Sequence, residues 1–301
     1  MPLQTFVATL VANPQQFALS DASIARVAQA LPGFASTRWL DPEIAADLFF
    51  TGDEPALALA RAQLSAALAG EAVDGIVQPE AGRRKKLLLA DMDSTLIGQE
   101  CIDELAARVG IGVRVAAITE RAMRGEIAFE PALRERVALL AGLPETVIAE
   151  VLRSAITLTP GGRTLVQTMR SEGAYTAIVS GGFTQFTQAI AGRLGIHEHR
   201  ANELIVENGR LVGRVGEPIL GRDAKLATLR ELRARHGLGV DETLAVGDGA
   251  NDLAMLGEAG LGVAYRAKPA VAAAAHARID NADLTALLYA QGFARSAFVE
   301  G

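Results

Sequence analysis

A single cysteine in 301 residues excludes an intrachain disulfide and, with it, a thiolate-rich zinc cage. Histidine is almost as scarce, with four in the chain. His197 and His199 are spaced for one face of a strand, but no further zinc ligands accompany them. No run approaches the ~18–20 uncharged apolar residues that a membrane span needs. The opening residues Met1-Pro2-Leu3-Gln4-Thr5 hold no basic leader ahead of an apolar stretch, which argues against export and for a cytoplasmic protein. What is present is ample for a core: half of the residues are apolar and 21% are charged, so disorder is not expected. The length corresponds to about two domains, at ~150 residues each.

The net charge of −6 is unevenly placed. Residues 1–80 hold nine acidic residues against Arg26, Arg38 and Arg61, so the whole acidic excess lies there. The break near residue 80 predicts a domain boundary, with units at 1–80 and 81–301. A nucleic-acid partner would require a basic domain or stripe. The densest cationic run is Arg83-Arg84-Lys85-Lys86, and a short run beside a linker is expected to be a solvated stretch. No nucleic-acid or membrane partner is expected.

Residues 5–12 read as a strand and 21–31 as a helix capped at Ser20 or Asp21. Two short strands within 36–50, a helix over 54–69 and a strand over 72–78 complete a β-α-β-β-α-β order, the ferredoxin-like split motif of α+β units. The arrangement resembles ACT-type regulatory modules, which tend to bind amino acids at a glycine-containing turn after the first strand. Here that turn reads Asn13-Pro14-Gln15-Gln16. The resemblance leaves room for a homodimer formed through this module.

From residue 87 the pattern changes. Leu87-Leu88-Leu89-Ala90 is a continuous apolar run, as suits a parallel strand buried on both faces. Residues 99–154 show helical periodicity alone, broken at Gly110, Gly125, Gly142 and Pro144. Strands and helices then alternate: helix 162–172, strand Tyr175–Val179, helix 184–194, a hairpin around Glu207–Arg210 and helix 223–235. Strand Thr243–Val246, helix 251–259, strand 261–265, helix 268–275 and a last helix near 283–291 follow. The alternation predicts an α/β fold, a doubly wound parallel sheet. The helical stretch, about 98–158, is a cap inserted after its first strand.

Three strands end in loops of small polar residues: Asp91-Met92-Asp93-Ser94-Thr95, Ser180-Gly181-Gly182 and Gly247-Asp248-Gly249-Ala250-Asn251-Asp252. Ligands of open α/β sheets bind outside the carboxyl ends of the strands, so the loops should meet at one crevice. In extended chain Asp91 and Asp93 share a side while Met92 turns to the core. Crowded carboxylates cannot all stay ionised without a cation, and a few carboxylates completed by water and phosphate suit Mg²⁺. Ser180, Gly181 and Gly182 at a strand-to-helix turn offer a hydroxyl and close N–H groups to an anion. Lys225 adds a point charge of the kind that phosphate sites use.

These residues resemble the haloacid-dehalogenase-like phosphohydrolases. The DxDxT motif is matched by Asp91, Asp93 and Thr95, the strand-ending Ser or Thr by Ser180, the lysine by Lys225, and GDxxND by Gly247, Asp248, Asn251 and Asp252. The resemblance covers about residues 85–295. It implies Asp91 as nucleophile forming an aspartyl-phosphate and Asp93 as general acid, then base. It places Mg²⁺ on the carboxylates of Asp91 and Asp248 and the backbone carbonyl of Asp93. Ser180, Gly181, Lys225 and Asn251 would hold phosphate, and Asp252 would orient Lys225 or a metal-bound water.

Within the cap, the runs Gln99–Ala106 and Arg121–Val137 resemble the phosphoserine phosphatases. That likeness implies O-phospho-L-serine as substrate. Glu100 would meet its ammonium, Arg136 its carboxylate as a bidentate fork, and Met123 and Phe129 would close over it. Cys101 beside Glu100 is read as a small buried apolar residue. The competing readings are a phosphatase or phosphotransferase for another small metabolite, a signalling receiver, and an amino-acid sensor with a silent catalytic fold. A receiver is one compact domain without a helical cap.

Overall fold

The computed structural model describes residues 4–13, 15–16, 18–124 and 126–300. Pro14 and Gly125, both singled out above, lie outside the described residues, as does the side chain of Met123.

The chain opens with β1 (Gln4–Ala12), α1 (Asp21–Ala30), β2 (Phe34–Asp41), β3 (Ala45–Gly52), α2 (Glu54–Ala67) and β4 (Val73–Pro79). The four strands form an antiparallel sheet in the order β2-β3-β1-β4. This is the split β-α-β-β-α-β arrangement expected from the sequence. Both helices start where a side chain satisfies an orphan N–H. Ser20 accepts from the Ser23 N–H at 3.1 Å, and Asp53 accepts from the Ala56 N–H at 3.0 Å. Along β1 the pleat sends Phe6, Ala8, Leu10 and Ala12 to the helices, against Ile24, Val27, Leu57 and Leu64. Val11 faces the other way and joins the core of the following unit, with Leu40, Ala45 and Ile76.

That unit begins with β5 (Leu87–Ala90), a tight turn over Met92–Leu96, and the helices α3 (Cys101–Arg108), α4 (Gly112–Met123), α5 (Phe129–Ala138) and α6 (Thr146–Ser154). After α7 (Gly162–Ser171) come β6 (Tyr175–Phe183), α8 (Thr184–Leu194), β7 (Glu198–Asn202), β8 (Leu204–Glu207), β9 (Arg210–Val215) and α9 (Arg222–Arg235). β10 (Thr243–Gly247), α10 (Leu253–Glu258), β11 (Leu261–Tyr265), α11 (Pro269–Ala274), β12 (Ala277–Ile279) and α12 (Ala286–Ala290) close the chain. The main sheet is parallel, in the order β12-β11-β10-β5-β6-β7. β5 shows why its run is uninterrupted: Leu88 and Ala90 pack into one apolar cluster, Leu87 and Leu89 into the other. The four helices α3–α6 are inserted in sequence between β5 and β6 and form the cap. The β8–β9 hairpin buttresses it, with the Gly142 N–H donating to the Leu211 carbonyl at 2.8 Å.

Two edge strands, β7 and β12, are absent from the sequence reading. β7 (Glu-His-Arg-Ala-Asn) is half-buried along most of its length and β12 is three residues long. An edge strand with one neighbour needs no continuous apolar run, so periodicity does not reveal it. His197 and His199 flank this edge: His197 stacks on Tyr175 with ring centroids 4.9 Å apart, and His199 Nδ1 shares a hydrogen bond with Thr187 at 3.0 Å.

Only half of the run Arg83–Lys86 is the solvated stretch that its composition suggests: Arg84 and Lys86 are exposed. Arg83 and Lys85 are buried, because the linker passes through the joint between the two sheets. Arg83 Nη2 donates to the buried Asp47 at 2.7 Å, and Lys85 Nζ donates to the carbonyls of Gly82 and Asp241 at 2.9 and 2.6 Å. Burial pushes the Lys85 ammonium down to about 8.

Asp74 on β4 anchors the joint by accepting backbone N–H groups of Asp280, Asn281 and Ala282 at 2.9, 3.1 and 2.7 Å. Tyr289 adds an O–H bond to Asp41 at 2.6 Å. Asp74→Ala strands one buried and two part-buried donors, and each unmet buried donor costs about 1–3 kcal/mol. The expected result is a loss of about 2–4 kcal/mol in denaturant unfolding, allowing for partial rehydration. A change below about 0.5 kcal/mol, the range of ordinary surface substitutions, would show that Asp74 does not hold the joint.

Candidate active site

The site assembles at the carboxyl ends of β5, β6 and β10, as the convergence argument requires. Asp91 follows β5 directly, its N–H continuing the ladder to the Val246 carbonyl at 3.0 Å. Its Oδ1 accepts from the Met92 N–H at 2.7 Å, which sets the side chain across the start of the turn. Met92 is fully buried, while Asp91 and Asp93 both line one cavity of about 440 Å³. The turn itself is tight: Ser94 adopts a left-handed φ of 55°, unusual for a non-glycine residue. Its hydroxyl donates to Glu100 at 2.7 Å.

Lys225 on α9 reaches the same place from beneath. It is 1% exposed, and its Nζ lies 2.7 Å from both Asp91 Oδ2 and Asp252 Oδ1. Burial alone would lower this ammonium, but the charges of Asp91 and Asp252 outweigh it and raise the pKa. The lysine is thus held charged, with the Asp91 carboxylate beside it. Asp252 also accepts from the Gly249 N–H at 3.0 Å, an orienting position for Lys225.

Asp93 sits differently from its neighbours. Its Oδ1 accepts from the Cys101 N–H at 3.2 Å, at the start of α3. Burial, then the charges of Glu100 and Asp91, push it up to about 8 against the Cys101 hydrogen bonds. A carboxylic acid kept protonated near neutrality is what a proton donor to a leaving oxygen needs. Gly182 makes room for it, since a Cβ there would lie 2.7 Å from Asp93 Oδ2. Ser180, 1% exposed, accepts from the Gly182 N–H at 2.9 Å. Cys101 is fully buried and burial raises its thiol pKa well above the usual range, so it remains an un-ionised apolar filler.

The cap supplies the opposite wall of the cavity with Glu100, Phe129 and Arg136. Phe129 leans on the Ser180–Gly182 turn: a Cβ on Gly181 would lie 3.3 Å from its ring. Arg136 is placed by hydrogen bonds to the Ala132 carbonyl at 3.3 Å and to the Thr119 hydroxyl at 3.4 Å. Burial lowers its pKa, opposed by Asp103, Glu100 and Asp93. Glu100 is raised chiefly by burial and also by Asp91 and Asp103, against the Ser94 bond and Arg136. The fourth cap residue expected here, Met123, ends α4.

Three polar residues of the cavity were not singled out by sequence reasoning: Asp103, Thr119 and Lys268. Asp103 lies three positions after Glu100, in the first turn of the helix that Glu100 precedes. Lys268 follows β11, a fourth parallel strand whose carboxyl end opens on the crevice. The strand-end rule that found the other loops could have found it too.

The donor set suits a hard divalent cation. Asp91, Asp248 and Asp252 bring carboxylate oxygens within 4.8 Å of one another. Lys225 serves two of them, whereas Asp248 has the Thr95 hydroxyl at 3.2 Å. Burial and the charge of Asp91 push Asp248 up to about 6, a cost that a bound cation would remove. Oxygen-only ligation of this kind fits Mg²⁺. Asp252 joins the two carboxylates expected there, Asp91 and Asp248; from Asp93 only the backbone carbonyl was expected, and its side chain accepts from Cys101.

Residues 88–257 match the haloacid dehalogenase-like hydrolase family. The phosphoserine phosphatase of Streptomyces coelicolor is 47% identical over 213 residues, 71% of this chain and 52% of that protein. The chain therefore matches about half the length of that curated relative. A HAD family hydrolase from Salmonella enterica serovar Typhi superposes with a TM-score of 0.83 at 28% identity, over 95% of this chain and 97% of the other. A phospho-aspartyl intermediate analogue of phosphoserine phosphatase superposes with a TM-score of 0.64 at 39% identity, over 68% of this chain and 98% of the other. With the family match spanning more than half of the chain and the motif carboxylates gathered at one crevice, the chain belongs to the haloacid dehalogenase-like hydrolases.

Proposed function

We propose that the chain hydrolyses O-phospho-L-serine to L-serine and phosphate, the last step of serine biosynthesis. One observation carries the reading: a single cavity places Asp91 and Asp93 opposite a cap acid, Glu100, and a cap cation, Arg136. A substrate with an ammonium, a carboxylate and a phosphate ester presents the complementary charges. The names of the curated relatives support it, as does the similarity to a phospho-aspartyl intermediate analogue of phosphoserine phosphatase.

An Asp91 carboxylate oxygen attacks phosphorus as the ester P–O bond breaks, and Asp93 passes its proton to the departing serine oxygen. Asp93, now a carboxylate, takes a proton from the water that attacks the aspartyl-phosphate. The Asp91–phosphorus bond then breaks, and phosphate leaves. Ser180, the N–H of Gly181, Asn251 and Lys225 hold the phosphoryl oxygens, and Lys225 itself is aimed by Asp252. Asp91, Asp248 and the Asp93 carbonyl would hold Mg²⁺, which would supply charge neutralisation at the transferring group. Phe129 and Met123 close over the ligand and exclude water.

We assign residues 1–80 to an ACT-like domain and 81–301 to the hydrolase domain, with the cap at about 98–158. Among the described residues no helix is long and apolar enough to cross a membrane. We place the protein in the cytoplasm, with a small-molecule substrate, no nucleic-acid partner and a homodimer through the N-terminal domain.

The test is phosphate release from phosphoserine, phosphothreonine and esters lacking an amino group, with Mg²⁺ and with excess chelator. Phosphoserine should be preferred by about tenfold or more over esters that leave Glu100 unpaired. Chelation should reduce turnover by about a hundredfold or more, with Mg²⁺ restoring it. Equal turnover of esters without an ammonium would remove Glu100 from recognition, and full turnover in chelator would remove the metal.

A further inference from the structure

A second charged recess lies at the joint of the two sheets and shares no lining residue with the active-site cavity. Arg38 of β2, Glu80, Gly82, Arg83 and Arg84 of the linker, and Gln291 with Gly292 line an open recess of about 310 Å³. Three guanidinium groups converge there, and the nearby acid is already in use. Asp47 accepts the Thr9 hydroxyl on Oδ1 at 2.8 Å, and its Oδ2 serves both Arg38 at 2.8 Å and Arg83 at 2.7 Å. The Arg83 side chain is 8% exposed, yet its Nη1 is buried without a hydrogen-bond partner. An unmet donor on a buried cation is among the more costly polar defects.

Arg84 is oriented into the same place. Its guanidinium stacks 3.4 Å over the Phe293 ring and donates to the Gly292 carbonyl at 3.4 Å. Its facing acid, Glu172, is 4.0 Å away and more than half exposed. Glu80 is the only acidic residue of the recess lining, so positive charge is in excess.

We propose that this recess binds a small oxyanion, a phosphate or a carboxylate, held by the forked donors of Arg84 and the charges of Arg83 and Arg38. Guanidinium groups suit planar, multidentate recognition of such groups. Burial lowers the pKa of Arg84, and Arg83 and Arg38 lower it further against the pull of Glu172. A bound anion relieves that repulsion. Because Arg38 belongs to the N-terminal sheet while Gly292 follows α12, the anion also ties the sheet to the hydrolase core. Binding to the folded state alone raises stability by mass action.

The inference does not depend on which ester the active site cleaves. Calorimetric titration and thermal melting with inorganic phosphate and with malonate, at constant ionic strength, test it on wild type, Arg84→Ala and Glu80→Gln. Arg84→Ala should weaken the recess by about tenfold or more, while leaving phosphatase activity unchanged. Glu80→Gln should tighten it about threefold by removing the opposing charge. Binding that survives equally in Arg84→Ala belongs to the active-site cavity. Loss of phosphate binding alone marks a phosphate site, loss of malonate alone marks a carboxylate site, and loss of both marks a general oxyanion site. Titrations that are the same in all three proteins, or no binding by wild type, overturn the proposal. Should Arg84→Ala fail to fold, an unchanged affinity in Glu80→Gln overturns it alone.

Discussion

Asp91→Asn is expected to lower turnover by about four orders of magnitude or more, with the fold preserved. The amide keeps the volume of the acid and can still accept from the Met92 N–H, but it cannot attack phosphorus as a carboxylate does. Lys225 keeps its second partner, Asp252, at 2.7 Å, so no buried cation is left wholly unpaired. The check pairs steady-state phosphate release with circular dichroism and a melting curve. Activity above about 1% of wild type in a properly folded variant would take Asp91 out of the nucleophile's role.

Arg136→Ala is the second large effect, and it is selective. A buried charged hydrogen-bonding partner is worth about 2–4 kcal/mol when its removal leaves a substrate carboxylate unmatched. The corresponding fall in kcat/KM for phosphoserine is about thirtyfold to a thousandfold. An aryl phosphate, which has no carboxylate to meet, should change by about threefold at most, since the reacting groups lie across the cavity. Arg136→Lys retains the charge without the fork and should fall between. If both substrates lost activity alike, Arg136 would be acting on the cap's packing rather than on the substrate. Its hydrogen bonds to Ala132 and Thr119 make that the outcome to watch.

The core motifs were legible because each is local. Leu87–Ala90 is apolar on both sides and ends at Asp91, so a strand and its terminal acid can be read from five consecutive residues. The same holds for Tyr175–Ser180 and Thr243–Asp248. The Ser20 and Asp53 caps are likewise three-residue events. Edge strands were harder to see: β7 has a polar face and β12 is short, so neither imprints an alternating pattern. Asp103 was within reach as a first-turn residue of the helix that Glu100 precedes, and Lys268 within reach of the strand-end rule.

Amino-acid order thus determined the succession of elements, the four catalytic motifs and the type of reaction they serve, because backbone periodicity and strand-end chemistry act over a few residues. Tertiary structure alone decided which charges are buried and with what partners. Arg83 leaves solvent because Asp47, 36 positions earlier, accepts it. Asp74 is anchored by N–H groups more than 200 positions later. Desolvation of a charge is repaid only by groups that arrive in three dimensions, and no linear pattern records their arrival.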